Sequence, residues 1–140
     1  MKKKIFAFAA AFVLAMFSFA QSSVQIKDIY VQPVTGIEST STNNQLEVMF
    51  KMNSQEEASV LHLQFGTAQD LGDVLTIDAE ITEQGEQYYV SYDGEDQLII
   101  GYDTSLTVEL TANQASSYNY ITLLVEDSNG EMSNKLYFVK

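Results

Sequence analysis

The amino-acid sequence predicts an all-β fold, two antiparallel sheets packed as a sandwich, behind a helical N-terminal signal. Three observations carry that expectation. Apolar and polar residues alternate with a period of two along eight or nine short segments. Turn-forming residues punctuate those segments every 8 to 15 residues. Outside the first twenty residues no segment shows a helical period. The chain has 140 residues, and no repeat or linker divides it, so one domain over residues 21–140 is expected.

Residues 1–20 are a separate object. Lys2, Lys3 and Lys4 precede an unbroken apolar run over residues 5–17, and Ser18-Phe19-Ala20 then sets small residues at a cut between Ala20 and Gln21. That is the layout of a cleaved secretory signal peptide. Residues 5–20 fall short of the roughly 20 apolar residues needed to span a bilayer, so no stable membrane insertion is expected after cleavage. The expected location is the periplasm or the outside of a bacterial cell.

Removal of the signal leaves four lysines and no arginine against all 19 acids, a formal charge of −15. A surface so acidic has little with which to neutralise phosphates, which excludes nucleic acid as a main partner. Self-repulsion favours a soluble monomer. The chain has no Cys, so an exported fold must be held by its apolar core without a disulfide.

The strands follow in order. Residues 24–34 place Val24, Ile26 and Asp28 on one face, and Pro33 marks an edge strand or a bulge. Residues 36–44 are rich in Ser, Thr and Asn and read as a loop. Leu46, Val48, Phe50 and Met52 alternate with polar neighbours, as do Leu61, Leu63 and Phe65, then Leu75, Ile77, Ala79 and Ile81. Residues 87–92 and 97–102 flank Asp93-Gly94-Glu95-Asp96, a hairpin signal. Leu106, Val108 and Leu110 form the next alternating set, followed by Ile121, Leu123 and Val125, a turn over residues 127–130, and a last strand over residues 135–139. The inward set should comprise Leu46, Val48, Phe50, Leu61, Leu63, Phe65, Ile77, Ile81, Val108, Leu110, Ile121, Leu123 and Val125. A short turn at residues 67–71 is the one helix candidate.

Ser105-Leu-Thr-Val-Glu-Leu, a polar loop, and Tyr118-Asn-Tyr-Ile-Thr-Leu-Leu-Val-Glu-Asp-Ser-Asn-Gly-Glu-Met-Ser133 resemble the last strands of fibronectin type III and bacterial Ig-like domains, over about 35 residues. Asp127, Gly130 and Ser133 fall on that pattern's turn points, whereas Asn119 occupies the place of its corner tyrosine, between Tyr118 and Tyr120. The resemblance implies an adhesion or scaffold-like module, an Ig-like or fibronectin-like sandwich, and no particular chemistry. The end of the chain, Lys-Leu-Tyr-Phe-Val-Lys140, is also similar to the close of the C-terminal sorting domains that some bacteria use for secretion.

Little in the chain suggests catalysis. His62 is the one imidazole, and no G-x-S-x-G accompanies it. Zinc in its usual Cys/His setting is excluded. The acidic turns at residues 93–96 and 127–131 offer oxygens to calcium, yet Asp, Asn and Gly are ordinary turn residues, and no metal or cofactor is expected. A pair of carboxylates could serve a secreted hydrolase, the alternative to a non-enzymatic module that binds a protein or glycan or serves structurally at the envelope. Tyrosines concentrate on the hairpin of residues 87–102, one face carrying Tyr88, Val90, Tyr92, Ile99 and Gly101, the other Tyr89, Ser91, Leu98, Ile100 and Tyr102, whether Tyr92 pairs with Gln97 or with Glu95. If the second face is exposed, Tyr89 and Tyr102 are expected to anchor a partner, with Asp93, Glu95 and Asp96 as an acidic rim.

The sorting-domain alternative makes a separable prediction. Deletion of residues 135–140 should trap a sorting domain in the periplasm; a folded truncation that is exported normally removes that reading.

Overall fold

The structure is a computed structural model describing residues 21–34 and 44–140. The expected signal over residues 1–20 and all but the last residue of the expected loop over residues 36–44 lie outside the described residues. The described chain runs through β1 (Ile26–Pro33), β2 (Asn44–Met52), β3 (Ala58–Gly66), β4 (Leu75–Gln84), β5 (Gln87–Tyr92), β6 (Glu95–Leu98), β7 (Asp103–Leu110), α1 (Ala112–Ser117), β8 (Tyr120–Asp127) and β9 (Leu136–Val139). Strands β9, β8, β3, β4, β5 and β6 lie side by side in one antiparallel sheet; β1, β2 and β7 form the other.

Alternation decides which face of each strand turns inward. Leu61, Leu63 and Phe65 of β3 stand opposite Ala79, Ile77 and Leu75 of β4 and opposite Val125, Leu123 and Ile121 of β8. The second sheet answers with Ile26, Val48, Phe50, Met52, Leu106, Val108 and Leu110, all buried. Burying one such side chain contributes roughly 1.5–3 kcal/mol. With no cysteine present, no disulfide joins the sheets, and this contact between faces is their main apolar link. The expected core is inside, with Leu46 and Ile81 half-buried against it, and it extends to Val24, Val90, Ile99 and Tyr118.

Polar side chains tie the sheet edges together. Asn134 stands in for a ladder residue beside β1: its Oδ1 accepts from the Ile26 N–H at 2.9 Å and its Nδ2 donates to the Ile26 carbonyl at 2.8 Å. On the other side Gln97 Nε2 donates to Thr107 Oγ1 at 3.3 Å, linking β6 to β7. The segment before β1 is anchored by Ser22, whose hydroxyl donates to the buried Asp127 carboxylate at 2.6 Å.

Four local features differ from the alternation. Asp28 does not continue the face of Val24 and Ile26. It adopts φ +60° in a bulge where the β1–β2 register shifts, and it is exposed. Of the two pairings open to Tyr92, with Gln97 or with Glu95, the hairpin takes the second: Asp93 (φ +54°) and Gly94 (φ +80°) both take the left-handed conformation that a two-residue hairpin turn requires. Consequently β6 ends at Leu98, and Gly101 and Tyr102 make a second turn into β7. Residues 67–71 are not helical; the helix is α1, opened by a reciprocal cap in which Thr111 Oγ1 accepts from the Gln114 N–H and Gln114 Oε1 from the Thr111 N–H. Finally, Tyr118 is buried, its ring edge-on to Phe65 at 5.2 Å, while Asn119 is exposed and donates its N–H to the Gly66 carbonyl at 2.9 Å.

Gly66 closes β3 where the chain doubles back. A Cβ there would lie 1.8 Å from the Leu71 carbonyl oxygen, a backbone atom that cannot swing aside. Gly66→Ala should therefore cost about 1–3 kcal/mol in urea unfolding from the clash, whereas at Gly85 (φ +67°) the space around a Cβ is open and Gly85→Ala should cost only the left-handed backbone strain, about 1–2 kcal/mol.

Candidate functional site

The β5–β6 hairpin places the expected residues in three settings. On its outer face Tyr89 stands opposite Leu98, and Leu98 (40% exposed) and Ile100 (68%) remain open to solvent. The Tyr89 ring is half-buried and its hydroxyl donates to Gln87 Oε1 at 3.0 Å. Tyr88, Val90, Tyr92 and Ile99 turn toward the core, with Val90 and Ile99 buried and the two tyrosines packed against the core. Asp93 and Glu95 line a hollow of about 250 Å³ with Gln97 and Glu109. Asp96 belongs to the outer row, across from Ser91, where the Gln84 amide donates to it at 2.9 Å and holds its carboxyl below the usual range. Tyr102 stands apart, at the turn into β7, lining another hollow with Lys27 and Lys51. The hairpin thus carries an exposed apolar face of Leu98 and Ile100, flanked by Tyr89, while Tyr102 belongs to a neighbouring surface.

The cluster of titratable groups that alternation does not reveal lies on the outer face of the same sheet. His62 of β3 points away from Leu61 and Leu63 and stands opposite Asp78 of β4. Its Nδ1 lies 2.7 Å from Asp78 Oδ1 and its Nε2 lies 2.8 Å from Glu126 Oε1 of β8. One imidazole therefore joins three adjacent strands. Partial burial opposes its charge, but the hydrogen bonds and charges of Glu126 and Asp78 prevail, and its pKa is raised. Both ring nitrogens are engaged by carboxylates, so neither is open to take a proton from a substrate. The period of two shows that His62 faces outward; the pairing register that brings it two carboxylates is not written in local sequence.

The turn at residues 127–131 uses its acid internally. Asp127 Oδ2 accepts from Ser22, and Oδ1 accepts the N–H groups of Asn129 and Glu131, each at 2.9 Å, which holds the carboxyl below its usual range. A carboxylate filled by donors in this way is a turn anchor. Among the described residues no three His, Asp or Glu groups come together in a metal-holding arrangement.

The His62 clamp has a pH signature. Because its folded-state pKa is raised, its contribution is fully present below the unfolded value, near 6.5, and is lost as pH rises through the folded value. Melting temperature should therefore fall between pH 6 and pH 8 in the native protein, and His62→Gln should flatten that slope. An unchanged slope would show that the pH dependence arises elsewhere.

No family model, no curated protein and no solved structure matches this chain.

Proposed function

We propose that the chain is an exported, non-enzymatic sandwich module of the Ig-like or fibronectin-like kind, which binds a protein or glycan, or serves structurally, at the bacterial envelope. The strand order supports the subtype. A sheet of the first, second and seventh strands faces one whose neighbours run ninth, eighth, third and fourth, the arrangement of Greek-key sandwiches in which strands A, B and E oppose G, F and C. In that scheme β5 and β6 are an added hairpin on the edge of the larger sheet. A buried tyrosine just before β8 is also in keeping with it, supplied here by Tyr118 because the parity breaks before Ile121.

The observation that carries the binding role is the outer face of that added hairpin. Leu98 and Ile100 expose apolar surface beside Tyr89, on an edge of the sheet where nothing in the fold requires large hydrophobic groups. Exposed apolar groups gathered in one place mark interaction surfaces. The hydrolase alternative would draw on the acidic residues, and turnover on a panel of glycans or esters, abolished by neutralising one acid, would establish it over the binding reading.

Replacing Tyr89, Leu98 and Ile100 together by Ser should abolish retention of the protein on envelope fractions of the parent cell. Stability should change little at the exposed positions, by roughly 0.5 kcal/mol each, and somewhat more at half-buried Tyr89. Undiminished retention by the folded variant would reject this face as the binding surface.

A further inference from the structure

Positive charge is scarce in this chain, and its placement is informative. Residues 21–140 hold four lysines. Lys135 pairs with Asp70 at 3.1 Å, and Lys140 lies 4.3 Å over the Tyr118 ring. The remaining two, Lys27 and Lys51, are direct cross-strand partners in the β1–β2 ladder. Like charges placed opposite each other destabilise a strand pair, and with 19 acids available the chain nevertheless puts two ammonium groups together. Lys51 is compensated by Asp103 at 2.6 Å and by the nearby Asp28. Lys27 has no carboxylate partner among the described residues.

These lysines line a hollow of about 620 Å³ with Gln25, Asn53 and Tyr102, a size in the range of small-ligand sites. Tyr102 is 65% exposed, yet its backbone is fixed, since its carbonyl accepts the Met52 N–H at 2.8 Å. Gln25 is fixed as well, its N–H donating to Asn53 Oδ1 at 2.7 Å. Tyr102, Gln25 and a lysine without a direct carboxylate partner among the described residues thus line one space.

We propose that this hollow binds a carboxylated sugar unit of an acidic glycan, with Lys27 receiving the carboxylate, the Tyr102 ring packing on the sugar face and Gln25 bonding its hydroxyls. The proposal rests on the binding-module reading and adds to the hairpin face a second, separate site with its own ligand class. An acidic peptide fits less well. A peptide strand would have to extend the ladder of β1, but the outward groups of Ile26 are already taken by Asn134, and the bulge at Asp28 interrupts the strand just beyond. Asp103 and Asp28 balance charge at the site itself, held on the Lys51 side, while the more distant acids oppose an anion only weakly at physiological salt, where charges beyond about 8 Å are largely screened.

The test is titration of the protein with trigalacturonate at physiological ionic strength, followed by backbone amide NMR. Maltotriose and hexaglutamate serve as neutral and peptide controls. Shifts at Gln25, Lys27, Asn53 and Tyr102 are expected with trigalacturonate alone. Lys27→Gln and Tyr102→Ser should each weaken binding by about tenfold or more, a loss of about 1.4 kcal/mol, and Lys27→Gln should melt no lower than the native protein because it removes a like-charge pair. Absence of shifts at millimolar trigalacturonate overturns the inference, as does an equal response to maltotriose or to hexaglutamate. A lowered melting temperature for Lys27→Gln overturns it too, by making the lysine structural. So does concentration-dependent shifting of these amides without any sugar, which would assign the hollow to a second copy. If trigalacturonate fails while the hairpin face still retains the protein on envelopes, this inference falls and the binding-module reading stands.

Discussion

Strand β3 is the member on which the rest of the structure depends. It lies between β4 and β8, and its alternation sends Leu61, Leu63 and Phe65 inward and Val60, His62 and Gln64 outward. A slip of one residue would exchange the two sets and place an imidazole and an amide in the core. Both neighbours are bound to that choice. Ile77 and Leu123 meet Leu63 inside, and Asp78 meets His62 outside. The core and the charged clamp are therefore two faces of one register.

A fold without cysteine must close its open edges by other means. Here the closing groups are polar and local. One amide, Asn134, satisfies both ladder groups of Ile26 and joins β1 to the segment before β9. One buried carboxylate, Asp127, gathers Ser22 and two backbone N–H groups and so fixes the residues preceding β1. Buried polar groups are tolerable when their partners are complete, and each of these has several. Apolar area supplies most of the stabilisation, while these amide and carboxylate contacts determine how the sheet edges meet.

How much of this was legible follows from the range of each signal. Period-two alternation is a local property, so the inward sets of β2, β3, β4, β7 and β8 could be read directly. Tyr118 could not, because the parity on which Asn119 would turn inward breaks before β8 begins. Nor could the exchange of Asp28 out of its face, since a bulge inserts a residue without changing composition. Helix α1 carried a readable sign, Thr111 followed three residues later by Gln114, in a stretch otherwise resembling a polar loop. The hairpin tyrosines were legible as a face, but the two-residue turn at Asp93-Gly94 ended β6 early and carried Tyr102 to a different surface.

The candidate sites share one reason for remaining hidden. Each is a meeting of charges across strands: Asp78, His62 and Glu126 over three strands of one sheet, Lys27, Lys51 and Asp103 over three strands of the other. In sequence these residues are separated by tens of positions, and only the register joins them. The two rows nevertheless differ in chemistry. In the first, one imidazole lies between two acids, a closed arrangement in which each ring nitrogen has a partner. In the second, Asp103 and Asp28 serve Lys51, and Lys27 is at the open end without a direct carboxylate partner among the described residues, on an edge strand beside the exposed Tyr102. A satisfied row stabilises the sheet that contains it, whereas an unsatisfied one keeps a capacity for something outside the chain. In a protein so rich in acids, a lysine placed opposite another lysine and left without a direct carboxylate partner among the described residues is the feature least explained by folding alone.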